Sequence, residues 1–438
     1  MMFINEDIFF IDYVMREIKE DEAQQYRDAI KSADDQPVKN LYEKLINEKA
    51  NIYERDMSIL TRLITTGCSH YFHDDTLIGC SMCNLHLNDY NTVAQMRSLR
   101  KRDPDLYSDV VCITAGANRT PGLRRTTIEY IFAYNFFDLF EIPRLACEEL
   151  LTQGVLFAKK PHVIQIEGRA DMIDSDQLRS IRDKIYPSRL VIRLGIECSN
   201  EWIRNHWLNK KTSNERIIAA INTCLNLDVQ VVANILFGIP GFTEEQSIRH
   251  FINTILWLDD IGVPFFNCSV LIRKPNTLQG LIHQISLSNE SLPDVGIYDS
   301  EHAGLPWLFS LIDALVACES QVKDFSSRLV FGEYDPTYFV GKNEFAYNAT
   351  HDCPCNSTIL SAIAENRSIK GFLGELMDLI KKDKCRNEYA QLLDKQKSIT
   401  DERVLMSTLA DYLAEYLWNN KKKVYVRRFA NELQFYNE

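Results

Sequence analysis

Apolar positions three and four apart among charged ones run through the first 58 residues, as in DEAQQYRDAIKSADDQPVKNLYEKLINEKA (21–50), which is the amphipathic period of helices. From about residue 60 the texture changes, and short β-branched runs alternate with amphipathic segments up to about 285. The predicted strands are SILTRLITTG (58–67), DVVCITAG (109–116), HVIQIEG (162–168), RLVIRLGIE (189–197), VQVVANILFG (229–238) and FFNCSVLIR (265–273). Each is nearly continuous in apolar content, which predicts parallel strands buried on both faces. Helices are predicted over 174–185, 213–227 and 243–261, the last opened by Thr243 and two acids, an N-terminal capping signal. Six strands in βα repeats make the class α/β. An open or partial barrel fits, and so does a doubly wound sheet. In either, functional residues stand at the C-terminal ends of strands. Beyond 285 the chain turns helical again, so three regions are expected: a helical 1–58, the α/β region 59–285 and a mostly helical 286–438.

With 45% apolar and 25% charged residues, the 438-residue chain has the makeup of a globular protein with a real core. No run approaches the roughly 18 apolar residues of a membrane span, and the N-terminus carries acids where a signal peptide carries basic residues. A cytoplasmic protein with no membrane partner is the expectation. In that reducing compartment clustered thiols bind metal more readily than they pair as disulfides. The net charge of −12 counts against a dedicated nucleic-acid binder, and the local basic run RSLRKRDP (97–104) reads as a solvated helix end.

Three of the twelve cysteines, Cys68, Cys80 and Cys83, stand in C-x11-C-x2-C spacing on the loop that leaves the first strand. A zinc site wants four ligands, and His70, His73 or His86 would have to complete it. A [4Fe–4S] cluster held by three thiolates instead leaves one iron open to another ligand. Late in the chain, HDCPC (351–355) places Cys353 and Cys355 near His351, with Cys385 thirty residues on. This is a candidate second site for an auxiliary iron–sulfur cluster or zinc, against a plain turn with incidental thiols. Cys112, Cys147, Cys198, Cys224, Cys268 and Cys318 read as small core residues.

Four stretches close predicted strands: TAGANRTPG (114–122), IQIEGRAD (164–171), LGIECSNEWIRNHWLNKKT (194–212) and VVANILFGIPGFTEEQS (231–247). Singly each has a plainer reading; a Gly-Ile-Pro-Gly after a strand is commonly a turn before a helix. In this order behind a three-cysteine loop, they resemble the radical S-adenosylmethionine (radical SAM) superfamily over about residues 60 to 285. The resemblance implies a partial (β/α)6 barrel in which Cys68, Cys80 and Cys83 hold a [4Fe–4S] cluster and S-adenosylmethionine (SAM) chelates the open iron. It carries over Gly116 to the SAM amino group, Glu167 as the strand-three acid and Glu197 as a ribose or methionine contact. Lys210 becomes the carboxylate contact, Asn234 the ribose contact, and Phe237 and Gly238 lie along the adenine. The superfamily's usual spacing is C-x3-C-x2-C, so this chain carries eight extra residues between its first two thiols. The stretch SHYFHDDTLIG there is expected to arch over the cluster edge without ligating it.

The strand-end blocks are also similar to those of the elongator catalytic subunit. The long first gap and LIRKPNTLQGLI (271–282) are similar to the archaeosine-synthase type. What the resemblance implies is a 5′-deoxyadenosyl radical that takes hydrogen from a small-molecule or nucleoside substrate, as in natural-product biosynthesis. The electron would come from a donor such as flavodoxin or ferredoxin, and the helical terminal regions would act as lids. The alternatives are a tRNA-modifying enzyme and a zinc-stabilised α/β binding protein.

Overall fold

The computed structural model describes residues 8–48, 51–55, 58–73, 75–84, 89–117, 129–132, 137–139, 141–152, 161–288, 305–331, 355–356, 359–360, 378 and 385–437. Among the described residues, eight strands hydrogen-bond into one sheet. In spatial order they are β1 (Asn51–Arg55), β2 (Ser58–Arg62), β5 (Glu129–Phe132), β6 (Val163–Gly168), β7 (Arg189–Glu197), β8 (Gln230–Phe237), β9 (Phe265–Val270) and β10 (Leu329–Phe331). A separate ribbon pairs β3 (Phe72–His73) with β4 (Thr76–Leu77). β1 and β2 form an antiparallel hairpin, and from β2 to β10 every pairing is parallel. The chain is therefore an α/β protein built on an open parallel sheet with helical N- and C-terminal extensions.

Helices α1 (Phe10–Ile18), α2 (Glu20–Asp34) and α3 (Val38–Leu45) precede the sheet. The helical period there stops at residue 45, and the end of the stretch expected to be helical, Asn51–Arg55, is the edge strand β1. Between β2 and β6 lie α4 (Tyr90–Arg102), α5 (Pro104–Ala117) and α6 (Arg144–Thr152). The crossovers α7 (Ser175–Ile185), α8 (Asn214–Asn226) and α9 (Glu244–Asp260) stand where capping chemistry predicts. The Asp174 carboxylate accepts from Gln177 N, the Ser213 hydroxyl from Arg216 N, and Thr243 with Gln246 closes a capping box. After β9 come α10 (Leu278–Ser288), α11 (Leu308–Glu319), α12 (Phe325–Arg328), α13 (Cys385–Gln396), α14 (Glu402–Trp418) and α15 (Lys422–Leu433).

One predicted strand is wrong. DVVCITAG lies inside α5, and the sheet's second parallel strand is Glu129–Phe132. Tyr107, Val110, Val111, Thr114 and Ala115 are buried while Ile113 is 41% exposed, a helical stripe. Pro104 opens the helix at a position that needs no N–H donor, and the Asp103 carboxylate accepts from Leu106 N. Gly116 thus stands near the end of a helix, not at a strand end.

The strands are also not apolar on both faces. Ile164, Ile166, Leu190, Ile192, Leu194, Ile196, Val231, Ala233, Ile235 and Phe237 join the main core beneath the helices. The alternate positions Gln165, Glu167, Arg193, Asn234 and Asn267 turn to the other face. A second core gathers α1, α10, α14 and α15 around Trp202, Trp207, Leu236, Phe242 and Leu271, residues of the segments that follow or end β7, β8 and β9. The two terminal extensions therefore pack together over the strand-end side of the sheet.

That cap is tied to α9 by a buried polar knot. Glu402 is fully buried and accepts from His250 Nε2 at 2.8 Å, from Arg249 and from the Tyr436 hydroxyl. Burial alone would lower the His250 pKa, but Cys198 and Glu402 raise it to about 9. A raised pKa stabilises the fold fully below the ordinary histidine value near 6.5, and that stability is lost as pH climbs through about 9. Chemical denaturation between pH 6 and 10 should show an alkaline loss on the order of 3 kcal/mol. In Glu402→Gln this loss should shrink, with Cys198 still facing His250; an unchanged pH profile in that variant would refute the coupling.

Candidate active site

The loop after β2 carries Cys68, Cys80 and Cys83, and its fold is set by a hairpin. The Tyr71 and Phe72 N–H groups both donate to the Cys68 carbonyl at 3.0 Å. Ile78 N donates to Tyr71 O at 2.9 Å, and Gly79 N to His70 O at 3.0 Å. Residues 71–73 thereby pair back on 76–78, with β3 and β4 as the inner pairs. Tyr71, Phe72 and Leu77 bury against Ala23 and Tyr26 of α2 and Val93 and Ala94 of α4. The stretch expected to arch over the cluster edge folds back onto these two helices. Gly79 is required at the hairpin's exit: its φ is +72°, and an added Cβ would meet Tyr71 Cδ2 at 2.8 Å.

The loop is docked onto the segment that follows β7. Asn209 Nδ2 donates to Gly79 O at 2.9 Å, Ser81 N donates to Leu208 O at 2.9 Å, and His70 Nε2 meets Asn209 O at 2.6 Å. A neutral His70 must therefore carry its proton on Nε2, so that nitrogen is not available as a metal ligand. His73 is exposed near the far end of the hairpin, and His86 lies outside the described residues. Among the described residues, no three His, Cys, Asp or Glu side chains converge on a single ion.

Cations surround the three thiols. Lys19, at the end of α1, is fully buried over the Tyr71 ring at 3.9 Å and donates to Ile78 O. Burial pulls its pKa down to about 8, while Cys83, Cys80 and Glu22 draw it upward. Burial, and after it Glu141, pushes the Cys68 thiol up to about 12, and burial raises Cys80 as well; Arg169 opposes both shifts, and Lys210 opposes the second more strongly. Arg169 is held by Asp171 and by the Lys210 carbonyl at 2.8 Å. Three soft thiols on one loop, ringed by Lys19, Arg169 and Lys210, suit an anionic iron–sulfur cluster, whose binding would displace the thiol protons.

Glu197 ends β7 at a bulge with φ +67° and pairs with Lys210 Nζ at 2.9 Å, both side chains nearly buried. The lysine passes over Gly195, where an added Cβ would stand 2.4 Å from Nζ. Glu167 is at the end of β6, 3.9 Å from Arg193. Asn234 is on β8, and its Oδ1 accepts from Asn267 Nδ2 at 2.9 Å. Glu167, Glu197 and Asn234 thus share one face of neighbouring strands with Lys210 laid across it, and Glu197 and Lys210 act on Cys80 of the thiol loop. Gly116 is not among them. The Phe237 ring is buried in the helix-side core, 5.3 Å edge-on to Phe251, away from the polar face that holds Asn234. Gly238 has φ +92° and packs so tightly on Pro306 that a Cβ would come within 2.8 Å. Cys355 and Cys385 are buried in the main core, while His351 and Cys353 lie outside the described residues.

Lys19, Arg169, Arg193, Asn209 and Asn267 escape the motif reading. For Arg193 and Asn267 a signal exists: each is a polar residue at period two inside an apolar strand run. Lys19 and Asn209 are brought in by tertiary packing alone.

No family model matches the chain. The uncharacterized protein MJ0550 of Methanocaldococcus jannaschii is 24% identical over 309 residues, 70% of this chain and 75% of that protein. Among solved structures the chain is similar to the Escherichia coli coproporphyrinogen III oxidase HemN, described as a radical SAM enzyme. That match has 15% identity and a TM-score of 0.36, and covers 60% of this chain and 52% of that one. It is also similar to the radical SAM methyltransferase TsrM of Kitasatospora setae with tryptophan and a SAM analogue bound (11% identity, 74% and 62% covered, TM-score 0.37). A third likeness is to the cobalamin-dependent SAM radical enzyme OxsB (11% identity, 86% and 57% covered, TM-score 0.35). The chain spans less than two thirds of each of these solved proteins, and likenesses of this size assign it no activity.

Proposed function

We propose that the chain is a radical SAM enzyme whose [4Fe–4S] cluster is held by Cys68, Cys80 and Cys83. The observation that carries this is the hairpin. With residues 71–78 closed off by the Gly79 N to His70 O bond, the path from Cys68 to Cys80 runs through Ser69, His70 and Gly79. The extended spacing then contracts to the superfamily's C-x3-C-x2-C. When bound and reduced, the cluster supplies the electron that splits SAM into methionine and a 5′-deoxyadenosyl radical able to take hydrogen from a C–H bond.

The chain's own residues bind, orient and shield. Lys210, held by Glu197, offers an ammonium to a carboxylate, and Asn234 offers amide hydrogen bonds to a ribose. The terminal helices packed over the strand ends keep water from a reactive carbon radical. The substrate we favour is a small molecule or nucleoside rather than tRNA, in keeping with the net charge of −12. A one-electron donor of the flavodoxin or ferredoxin kind is the implied partner. Anaerobic protein given SAM and dithionite should form 5′-deoxyadenosine and methionine in equal amounts. Protein that forms neither, and carries one zinc per chain, would instead be the zinc-stabilised binding protein.

A further inference from the structure

Arg193 stands in the middle of β7 on the polar face and is 8% exposed. The nearest carboxylate oxygen, on Glu167, is 3.9 Å from Nη1, beyond hydrogen-bond reach, and Nε has no hydrogen-bond partner. A guanidinium presents five donors in a rigid fork, and burying it with so little in return is costly. Two strands away, Asn267 is 3% exposed and spends Nδ2 on Asn234, while its Oδ1 has no partner. The register places Asn234 between Gly195 and Asn267, two residues nearer the strand ends than Arg193. Native proteins satisfy nearly all such buried polar groups. Two unmet ones of opposite kind on one face mark the place of a ligand.

We propose that this face of β6–β9 binds the substrate and that Arg193 receives its oxyanion, a carboxylate or phosphate, in a two-pronged contact. Asn267 Oδ1 takes a hydroxyl or amine hydrogen of the same molecule. Lys210 Nζ stands over Gly195, two positions further along β7 and roughly 7 Å away at about 3.3 Å per residue, so Arg193 is a second cation on the same face, set back from the strand ends. This rests on the radical SAM reading only in calling the ligand a substrate; the anion site stands on its own geometry.

The test is binding of inorganic phosphate and of malonate to the whole, anaerobically purified chain, by calorimetry and thermal shift, in the native protein, Arg193→Met and Arg193→Lys. One of the two anions should bind and raise the melting temperature, which decides between phosphate and carboxylate. Arg193→Met should lose roughly tenfold or more in that affinity, with Arg193→Lys intermediate. Without anion, Arg193→Met should melt no lower than the native protein, since a buried cation with only a long ion pair to Glu167 has been removed, and SAM affinity and iron content should not change. Binding of neither anion, unaltered binding in Arg193→Met, a lower melting point of that variant or a loss of SAM affinity would each overturn the proposal. If iron is absent but the anion still binds through Arg193, only the radical SAM reading fails.

Discussion

Cys83→Ala should yield a folded, colourless protein that forms no 5′-deoxyadenosine. Cys83 is half-buried at the end of the thiol loop, and its N–H donates to the Cys80 carbonyl at 3.1 Å, a bond the alanine keeps. It belongs to none of the apolar clusters, so its removal should cost the metal-free fold no more than about 0.5 kcal/mol. Iron should fall from about four per chain to near zero, because a cluster already short of one protein ligand would be left with two. Circular dichroism with iron and sulfide determination reads both parts. A variant that keeps its iron and its SAM cleavage would show that the cluster is held elsewhere.

Glu197→Ala should act on stability and on SAM together while sparing the cluster. The carboxylate pairs with Lys210 at 2.9 Å, with both side chains about nine-tenths buried. Removing one member of a buried pair strands the other charge, and about 3 kcal/mol of stability should go with it. The backbone adds nothing to that loss, since at φ +67° glutamate and alanine carry the same Cβ penalty of the left-handed conformation. Glu197→Gly removes the same carboxylate without that strain and should recover about 1 kcal/mol of the deficit. Both variants should bind SAM more weakly, because Lys210 is no longer held across Gly195. Denaturant titration and SAM calorimetry check this. Unchanged SAM affinity with intact iron would remove Glu197 and Lys210 from the cofactor site.

The central βα repeats were legible because their chemistry is local. β6 to β9 stand where short apolar runs place them, and Asp174, Ser213 and Thr243 cap the helices between. The run at 109–116 misled because its β-branched residues mimic a strand. The Asp103–Pro104 start and the buried stripe from Tyr107 to Ala115 show it to be a helix, and Gly116 was misplaced with it. Reading the strands as apolar throughout hid the polar positions at period two, Arg193 and Asn267 among them. The thiols were legible as a group, but the reason for their long spacing was not. It depends on hydrogen bonds that close residues 71–78 into a hairpin and on α2 and α4 receiving Tyr71, Phe72 and Leu77. The charges around the loop arrive from α1, from the segment after β6 and from the segment after β7. No local pattern announces that meeting.

Acid-labile sulfide and iron, counted per chain in protein purified without oxygen, test the cluster assignment most directly. About four of each, with a broad absorbance near 400 nm that dithionite bleaches, is the predicted result. A colourless chain holding a single zinc and no sulfide would contradict it.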